Sequence, residues 1–230
     1  MENVTAVNAL RLPDPADPAT VLLVDLDGTV TDSFPGISAS FAHAVAALGA
    51  PAPAPEVLRG IAGPPLLDSM LAYGFSPDDA QRAVSAYRER YEAVGWLECR
   101  VFDGMADLLA ELSVSGRTLA LATSKFESTA RRMLEHFGLA GHFTVIAGAS
   151  ADGTRRSKAQ VIARALDVLG LEQMTTPIVM IGDRSHDVDG AASFGIPTIA
   201  VGWGYARPGE VDEATWTVHT VPQLREVLGV

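Results

Sequence analysis

Asp25 and Asp27 stand one residue apart in Asp25-Leu26-Asp27-Gly28-Thr29, where the apolar run TVLLVDL of residues 20–26 ends. Alternate side chains of an extended strand share one side, so the two carboxylates can face the same reactant. One can then attack an electrophile while the other handles protons. Asp-Gly is also common turn chemistry, which explains Asp27 and Gly28 but leaves Asp25, closing an apolar strand, without a purpose. Three further segments carry groups suited to a phosphoryl oxygen or a cation. Ala122-Thr123-Ser124-Lys125 ends a second apolar run with hydroxyls and an ammonium. Lys158 opens a helical pattern after Asp152-Gly153-Thr154-Arg155-Arg156-Ser157. A helix N-terminus favours negative charge, so a lysine there calls for a nearby anionic site. Gly182-Asp183-Arg184-Ser185-His186-Asp187 supplies a second acidic pair at another strand end. Carboxylates from two strand ends suit Mg²⁺, which takes oxygen ligands and keeps several waters.

Each signal has a simpler reading in isolation. Thr123 or Ser124 caps a helix starting near Phe126, Lys158 is a solvated surface cation, and Asp187 caps a helix starting at Val188. Together they fall after separate strands in the order Asp-x-Asp, Thr/Ser, Lys, Asp-Asp, a coincidence that favours one shared site.

Strands and helices must alternate to position these groups. Thr20–Leu26, Thr118–Ala122, Ile178–Ile181 and Thr198–Val201 read as buried parallel strands, Phe143–Ala147 as a weaker one and Thr215–His219 as an edge strand. Helical patterns lie over Gly104–Leu112, Glu127–Phe137, Lys158–Leu169 and Val188–Phe194, each closed near a glycine. This predicts an α/β fold, a Rossmann-like parallel sheet with helices on both faces and ligands beyond the carboxyl ends of the strands. About 90 residues separate the first two strands, far more than a crossover needs, which predicts an inserted module. Within it Ile37–Leu48, Leu66–Tyr73 and Pro77–Val94 read as helices, and Ala50–Pro55 as an extended joint. The expected division is a catalytic core over 19–32 and 102–230, a helical insert over 33–101, and a loose Pro-rich leader over 1–18.

With 48% hydrophobic and 20% charged residues, the 230-residue chain can bury a sizeable core. Its formal net charge of −11 repels polyphosphate backbones and argues against a nucleic-acid polymer as partner. A small phosphorylated metabolite is still compatible, because a local cluster of cations and a metal can bind it. Cys99 is the single cysteine, so no intrachain disulfide is possible and a cytoplasmic setting is expected. No signal peptide and no membrane span are read from the sequence. The expected working state is a monomer or a homodimer. Of the 17 basic residues only Lys125 and Lys158 are lysines. They stand either by chance or where a compact ammonium is needed rather than a planar fork.

Asp25-Leu26-Asp27-Gly28-Thr29, Thr123, Lys158 and Gly182-Asp183 with Asp187 resemble, in order, the motifs of the haloacid dehalogenase superfamily. The resemblance runs from about Val21 to the end of the chain and implies that the helical insert is a cap over the active site. Gly63-Pro64-Pro65-Leu66, Thr123-Ser124-Lys125, His136-Phe137-Gly138-Leu139, Asp152-Gly153-Thr154-Arg155 and residues 182–187 look most like the 5′-nucleotidase-like members, then the phosphoglycolate-phosphatase-like ones. Phe126 stands where proline is expected, and Ala149-Ser150 where Gly-Ser is frequent.

The resemblance implies a phosphatase acting on a small phosphomonoester, first a nucleoside 5′-monophosphate and second phosphoglycolate. Asp25 is then the nucleophile that forms an aspartyl-phosphate. Asp27 protonates the leaving alcohol and later takes a proton from water. Mg²⁺ is held by Asp25, the backbone carbonyl of Asp27, Asp183 and, through water, Asp187, while Thr123 and Lys158 hold phosphoryl oxygens. Gly28, Thr29, Ser124, Lys125, Arg59, Gly63 and Arg184 are the expected substrate neighbours. Phe34, Tyr73 and Trp96 could stack a base, but they also fit the interior of the insert. His43, His136, His142 and His219 read as structural or surface residues.

Asp27 disfavours carbon–halogen cleavage, whose catalysts lack that carboxylate, and the absence of lysine from residues 33–101 disfavours Schiff-base chemistry. Sugar-phosphate mutases share all four motifs and remain a rival. Outside the enzymes, a phosphoacceptor module would need no insert, and a silent binding protein would be expected to lose a motif residue.

Overall fold

The computed structural model describes residues 12–171 and 176–230. Strands β1 (Val21–Val24), β2 (Thr31–Asp32), β3 (Arg100–Val101), β4 (Leu119–Phe126), β5 (Val145–Ala149), β6 (Ile178–Gly182), β7 (Thr198–Val201) and β8 (Trp216–Val218) are interleaved with nine α-helices among those residues. Six strands form one sheet in the order β5-β4-β1-β6-β7-β8, every pair parallel. β1 reads VLLV, is buried throughout and lies between β4 and β6. An uncharged apolar strand suits that position because both its faces are covered. Leu22 and Val24 point into a core with α5 (Met105–Val114), α6 (Glu127–His136) and α9 (Val221–Leu228). Val21 and Leu23 point to the other face, against α7 (Lys158–Leu169) and α8 (Ser185–Ala192). The α/β class expected from the sequence is the one observed.

The chain leaves the sheet through β2 and returns through β3, which pair antiparallel. Between them lie α1 (Phe34–Ala47), α2 (Pro55–Arg59), α3 (Leu66–Tyr73) and α4 (Pro77–Ala93). This insert has its own apolar interior, built on Phe41, Val45, Met70 and Val84. Helix α2 is absent from the sequence reading because five residues after an Ala-Pro run are too few to show a period.

Two boundaries move toward the site. β4 continues through Thr123 to Phe126, which pairs with Ala149 after a register shift. Helix α8 begins at Ser185 rather than Val188. The leader also needs correction. Residues 1–11 lie outside the described residues, but residues 12–18 are not loose. The buried Arg117 guanidinium donates to the carbonyls of Pro15, Asp17, Thr20 and Leu228, and Thr20 Oγ1 donates to Asp14 O at 2.7 Å. A buried cation that satisfies four main-chain acceptors stitches both ends of the described chain to the sheet. No helix among the described residues is long and apolar enough to cross a membrane.

Candidate active site

A cavity of about 710 Å³ opens at the carboxyl ends of β1 and β4 and runs beneath α3 and α4 of the insert. Asp25, Asp27, Thr123, Ser124, Lys125, Lys158, Arg184 and Asp187 line it from the sheet side, with Gly63, Tyr87 and Tyr91 from the insert.

Lys158 is 6% exposed, which excludes the surface-cation reading. Its Nζ lies 2.6 Å from Asp25 Oδ1, 2.7 Å from Asp187 Oδ1 and 2.8 Å from the carbonyl of Ala122. Ser157 caps α7 reciprocally with Gln160, so the lysine meets the positive helix end only because two carboxylates offset it. Burial works to lower the Lys158 pKa, but the charges of Asp187 and Asp25 outweigh it and hold it above the ordinary value. Burial also pushes Asp25 up to about 6, against the lowering pull of Lys158. Asp183 is raised as well, by burial and then by the charges of Asp187 and Asp25.

Asp187 is a first-turn residue of α8, not its cap. Its Oδ2 accepts from the backbone N–H groups of Asp183 and Arg184 at 3.1 and 3.0 Å, which turns Oδ1 toward Lys158. Gly182 is required for this packing, because a Cβ there would lie 2.3 Å from Asp187 Cγ. Thr123 does not cap α6. It belongs to β4, is buried, and its Oγ1 accepts the Lys125 N–H at 3.3 Å.

The second lysine serves the second acid. Lys125 Nζ lies 2.8 Å from Asp27 Oδ2 and donates to the Tyr91 hydroxyl at 2.7 Å. Tyr91 stacks on Tyr87 with ring centroids 5.5 Å apart. Burial pushes the Tyr91 hydroxyl up to about 12, so it is neutral and its oxygen accepts a hydrogen bond from the ammonium. Sequence reasoning passed over these tyrosines, although their i,i+4 spacing places them on one helix face.

Not every expected neighbour joins the site. Gly28 has φ +88° and packs against Asp183, where a Cβ would lie 2.2 Å from Oδ2, and Thr29 is fully buried. Neither lines the cavity, and Arg59 is exposed away from it. Arg184 is 7% exposed and its Nε donates to Glu210 Oε1 at 2.6 Å. Phe34 packs on Tyr205, Tyr73 on Phe41 and Phe75, and Trp96 on His136, so these three rings are spent on packing. Tyr205 was not singled out from the sequence. Its backbone N–H donates to Asp183 Oδ2 at 2.7 Å, while its hydroxyl accepts the N–H groups of Ser33 and Phe34 at 2.7 and 3.0 Å.

Asp25, Asp183 and Asp187 offer carboxylate oxygens within 4.8 Å of one another. Asp183 Oδ1 is buried with no protein partner, and its side chain is cradled by Gly28 and Gly204, where a Cβ would approach within 2.4 Å. A buried, unpartnered carboxylate oxygen beside two more carboxylates is a poor arrangement without a cation. The all-oxygen donor set fits a hard divalent ion.

Residues 22–201 match the haloacid dehalogenase-like hydrolase family. Among curated proteins the chain is similar to the tyrosine-protein kinase PtkA of Mycobacterium tuberculosis, at 48% identity over 96% of this chain and 76% of that one. It is also similar to a 5′-nucleotidase of Pseudomonas aeruginosa, at 41% identity over 96% and 97%. Among solved structures, a predicted phosphatase from Clostridium acetobutylicum superposes with a TM-score of 0.85 at 34% identity, covering 96% of this chain and all of that one. With Asp25, Asp27, Thr123, Lys158 and Asp187 lining one cavity on this fold, the chain belongs to the haloacid dehalogenase-like hydrolase family.

Proposed function

We propose that this protein is a Mg²⁺-dependent phosphatase that cleaves a small phosphomonoester through an aspartyl-phosphate on Asp25, with a nucleoside 5′-monophosphate as its substrate. The observation that carries this reading is the separate treatment of the two acids. Asp25 is held by Lys158, and Asp27 by Lys125, at one cavity. Lys158 occupies Asp25 Oδ1, which leaves the other oxygen to form the bond to phosphorus as the ester P–O bond breaks. Asp27 gives its proton to the departing alkoxide, then takes one from the water that releases phosphate from Asp25. Thr123 and Lys158 line the same cavity and hold the phosphoryl oxygens as charge spreads. Asp25, Asp183, Asp187 and the Asp27 carbonyl would hold Mg²⁺, which when bound offsets the repulsion between carboxylate and phosphate.

The cavity volume of about 710 Å³ falls within the roughly 300–1,000 Å³ of small-molecule sites. Tyr87, which is less buried than Tyr91, adds aromatic surface to the cavity wall. The 5′-nucleotidase relative supports the same substrate class, and the single free thiol fits work in a reducing cytoplasm. The test is phosphate release from nucleoside monophosphates, phosphoglycolate and sugar phosphates, with and without Mg²⁺, beside Asp25→Asn. Turnover of nucleotides that needs Mg²⁺ and is lost in the variant is expected. Substantial residual turnover in Asp25→Asn sinks the nucleophile assignment. Because one relative is named a tyrosine kinase, ATP with a tyrosine peptide belongs in the same panel, and a labelled peptide would replace hydrolysis by transfer.

A further inference from the structure

Helix α4 seats on α6 and the end of β4 through a short row of contacts. Thr129 Oγ1 donates to Glu92 Oε1 at 2.7 Å, Arg132 donates to the carbonyl of Glu92 at 3.0 Å, and Arg88 covers the Phe126 ring at 5.0 Å. Beside these, the Lys125–Tyr91 bond reaches into the cavity. Its ammonium is the only lysine other than Lys158, and its side chain is 8% exposed. Because Nζ lies 2.8 Å from Asp27 Oδ2 and 2.7 Å from the Tyr91 hydroxyl, one short cation joins the second catalytic acid to the insert.

Resting on the phosphatase reading above, the geometry points to Tyr91 as a positioning residue for the acid–base group. By accepting from Lys125, Tyr91 holds that ammonium on Asp27, so that Asp27 is fully organised only while α4 is seated on the core. Tyr91 touches no reacting atom in this scheme. It acts through Lys125, and the insert thereby takes part in the chemistry as well as enclosing the cavity.

Tyr91→Phe keeps the buried ring and removes the one acceptor. The expected result is a fall in kcat of about tenfold, the size of a lost hydrogen bond to a charged group, with KM within about twofold of wild type. A structural role alone would not move the second readout. With lysine labelled in ¹³C and ¹⁵N, the chain gives two side-chain ammonium signals, assigned by Lys125→Arg. Tyr91→Phe and Asp27→Asn should each shift the Lys125 signal and leave the Lys158 signal in place. In a Lys125→Met background, adding Tyr91→Phe should change kcat less than twofold, because the path between the two residues is already cut. An unshifted Lys125 signal, a kcat within twofold of wild type, or full additivity with Lys125→Met overturns the proposal. Should wild type turn over nothing in the panel, the phosphatase reading fails separately, and the Lys125 signal alone decides whether Tyr91 and Asp27 are coupled.

Discussion

The two lysines face the same cavity under different terms. Every partner of Lys158 belongs to the α/β core, namely Asp25 on the β1 loop, Asp187 on α8 and the carbonyl of Ala122 on β4. Lys125 divides its bonds between Asp27 of the core and Tyr91 of the insert. Three acceptors within 2.8 Å around one nitrogen suit a compact ammonium better than a planar guanidinium. That accounts for a lysine here in a chain that otherwise uses arginine. The difference teaches that Asp25, the proposed nucleophile, is held wholly by the core, while the surroundings of Asp27 are completed across the joint between two modules.

Replacing each lysine in turn tests that contrast most strongly. Lys158→Met leaves Asp25, Asp183 and Asp187 buried together without their cation. We expect kcat to fall by on the order of 10²–10³, as when one oxyanion-stabilising donor is lost, together with a clear drop in Tm. Lys125→Met should cut kcat by about 10², the lower end for positioned proton transfer, and lower Tm less than Lys158→Met does, because only one of its acidic or hydroxyl partners, Asp27, belongs to the core. Steady-state kinetics and thermal denaturation on both variants settle the matter. Equal losses of Tm would erase the distinction between a core site and a joint site.

A smaller effect is expected where the insert's glycine loop meets the core. Gly63 has φ +111°, and a Cβ there would lie 2.6 Å from Arg184 Nη1. Gly63→Ala strains the backbone and pushes the loop off Arg184, costing roughly 1 kcal/mol or more. Because the loop lines the cavity and meets the core at Arg184, KM should rise several-fold while kcat changes little. A drop in kcat at constant KM would mean that this loop, like Tyr91, helps organise the acid.

Much of the core half of this contrast was legible in the sequence, and little of the joint. The runs VLLV, IVMI and TIAV announce buried parallel strands because nothing polar interrupts them. Asp25, Asp27, Asp183 and Asp187 each close or follow such a run, so their convergence follows from the rule that strand ends share one edge; Lys158 instead opens the helix after the loop that leaves β5. β2 and β3 are two residues each, too short to leave a period. Tyr91 and Tyr205 draw their roles from residues 34 and 22 positions away, which no local pattern records. The aromatic residues singled out instead, Phe34, Tyr73 and Trp96, were chosen by type alone. Packing claimed all three: Tyr73 in the interior of the insert, Phe34 and Trp96 against Tyr205 and His136 of the core.

The mildest perturbation separates the inside of the insert from its joint. Arg90 on α4 makes a two-pronged pair with Glu98, both contacts at 2.9 Å, where the insert returns to the core. The Arg90 hydrogen bonds hold the Glu98 pKa below its ordinary value. A lowered carboxylate pKa contributes stability that is fully present above the unfolded value and is lost as pH falls through the folded one. Glu98→Gln should therefore lower stability at pH 7, and the gap to wild type should close as pH falls through the folded-state pKa of Glu98. Glu98 is 38% exposed, so solvent screening keeps the loss below about 1 kcal/mol, and high salt should shrink it further. Denaturant titrations at pH 7 and pH 3 measure the gap. Because the pair ties α4 to the insert's own exit rather than to Lys125, kcat should stay within twofold of wild type. A larger kinetic effect would show that the seating of Tyr91 depends on the whole length of α4.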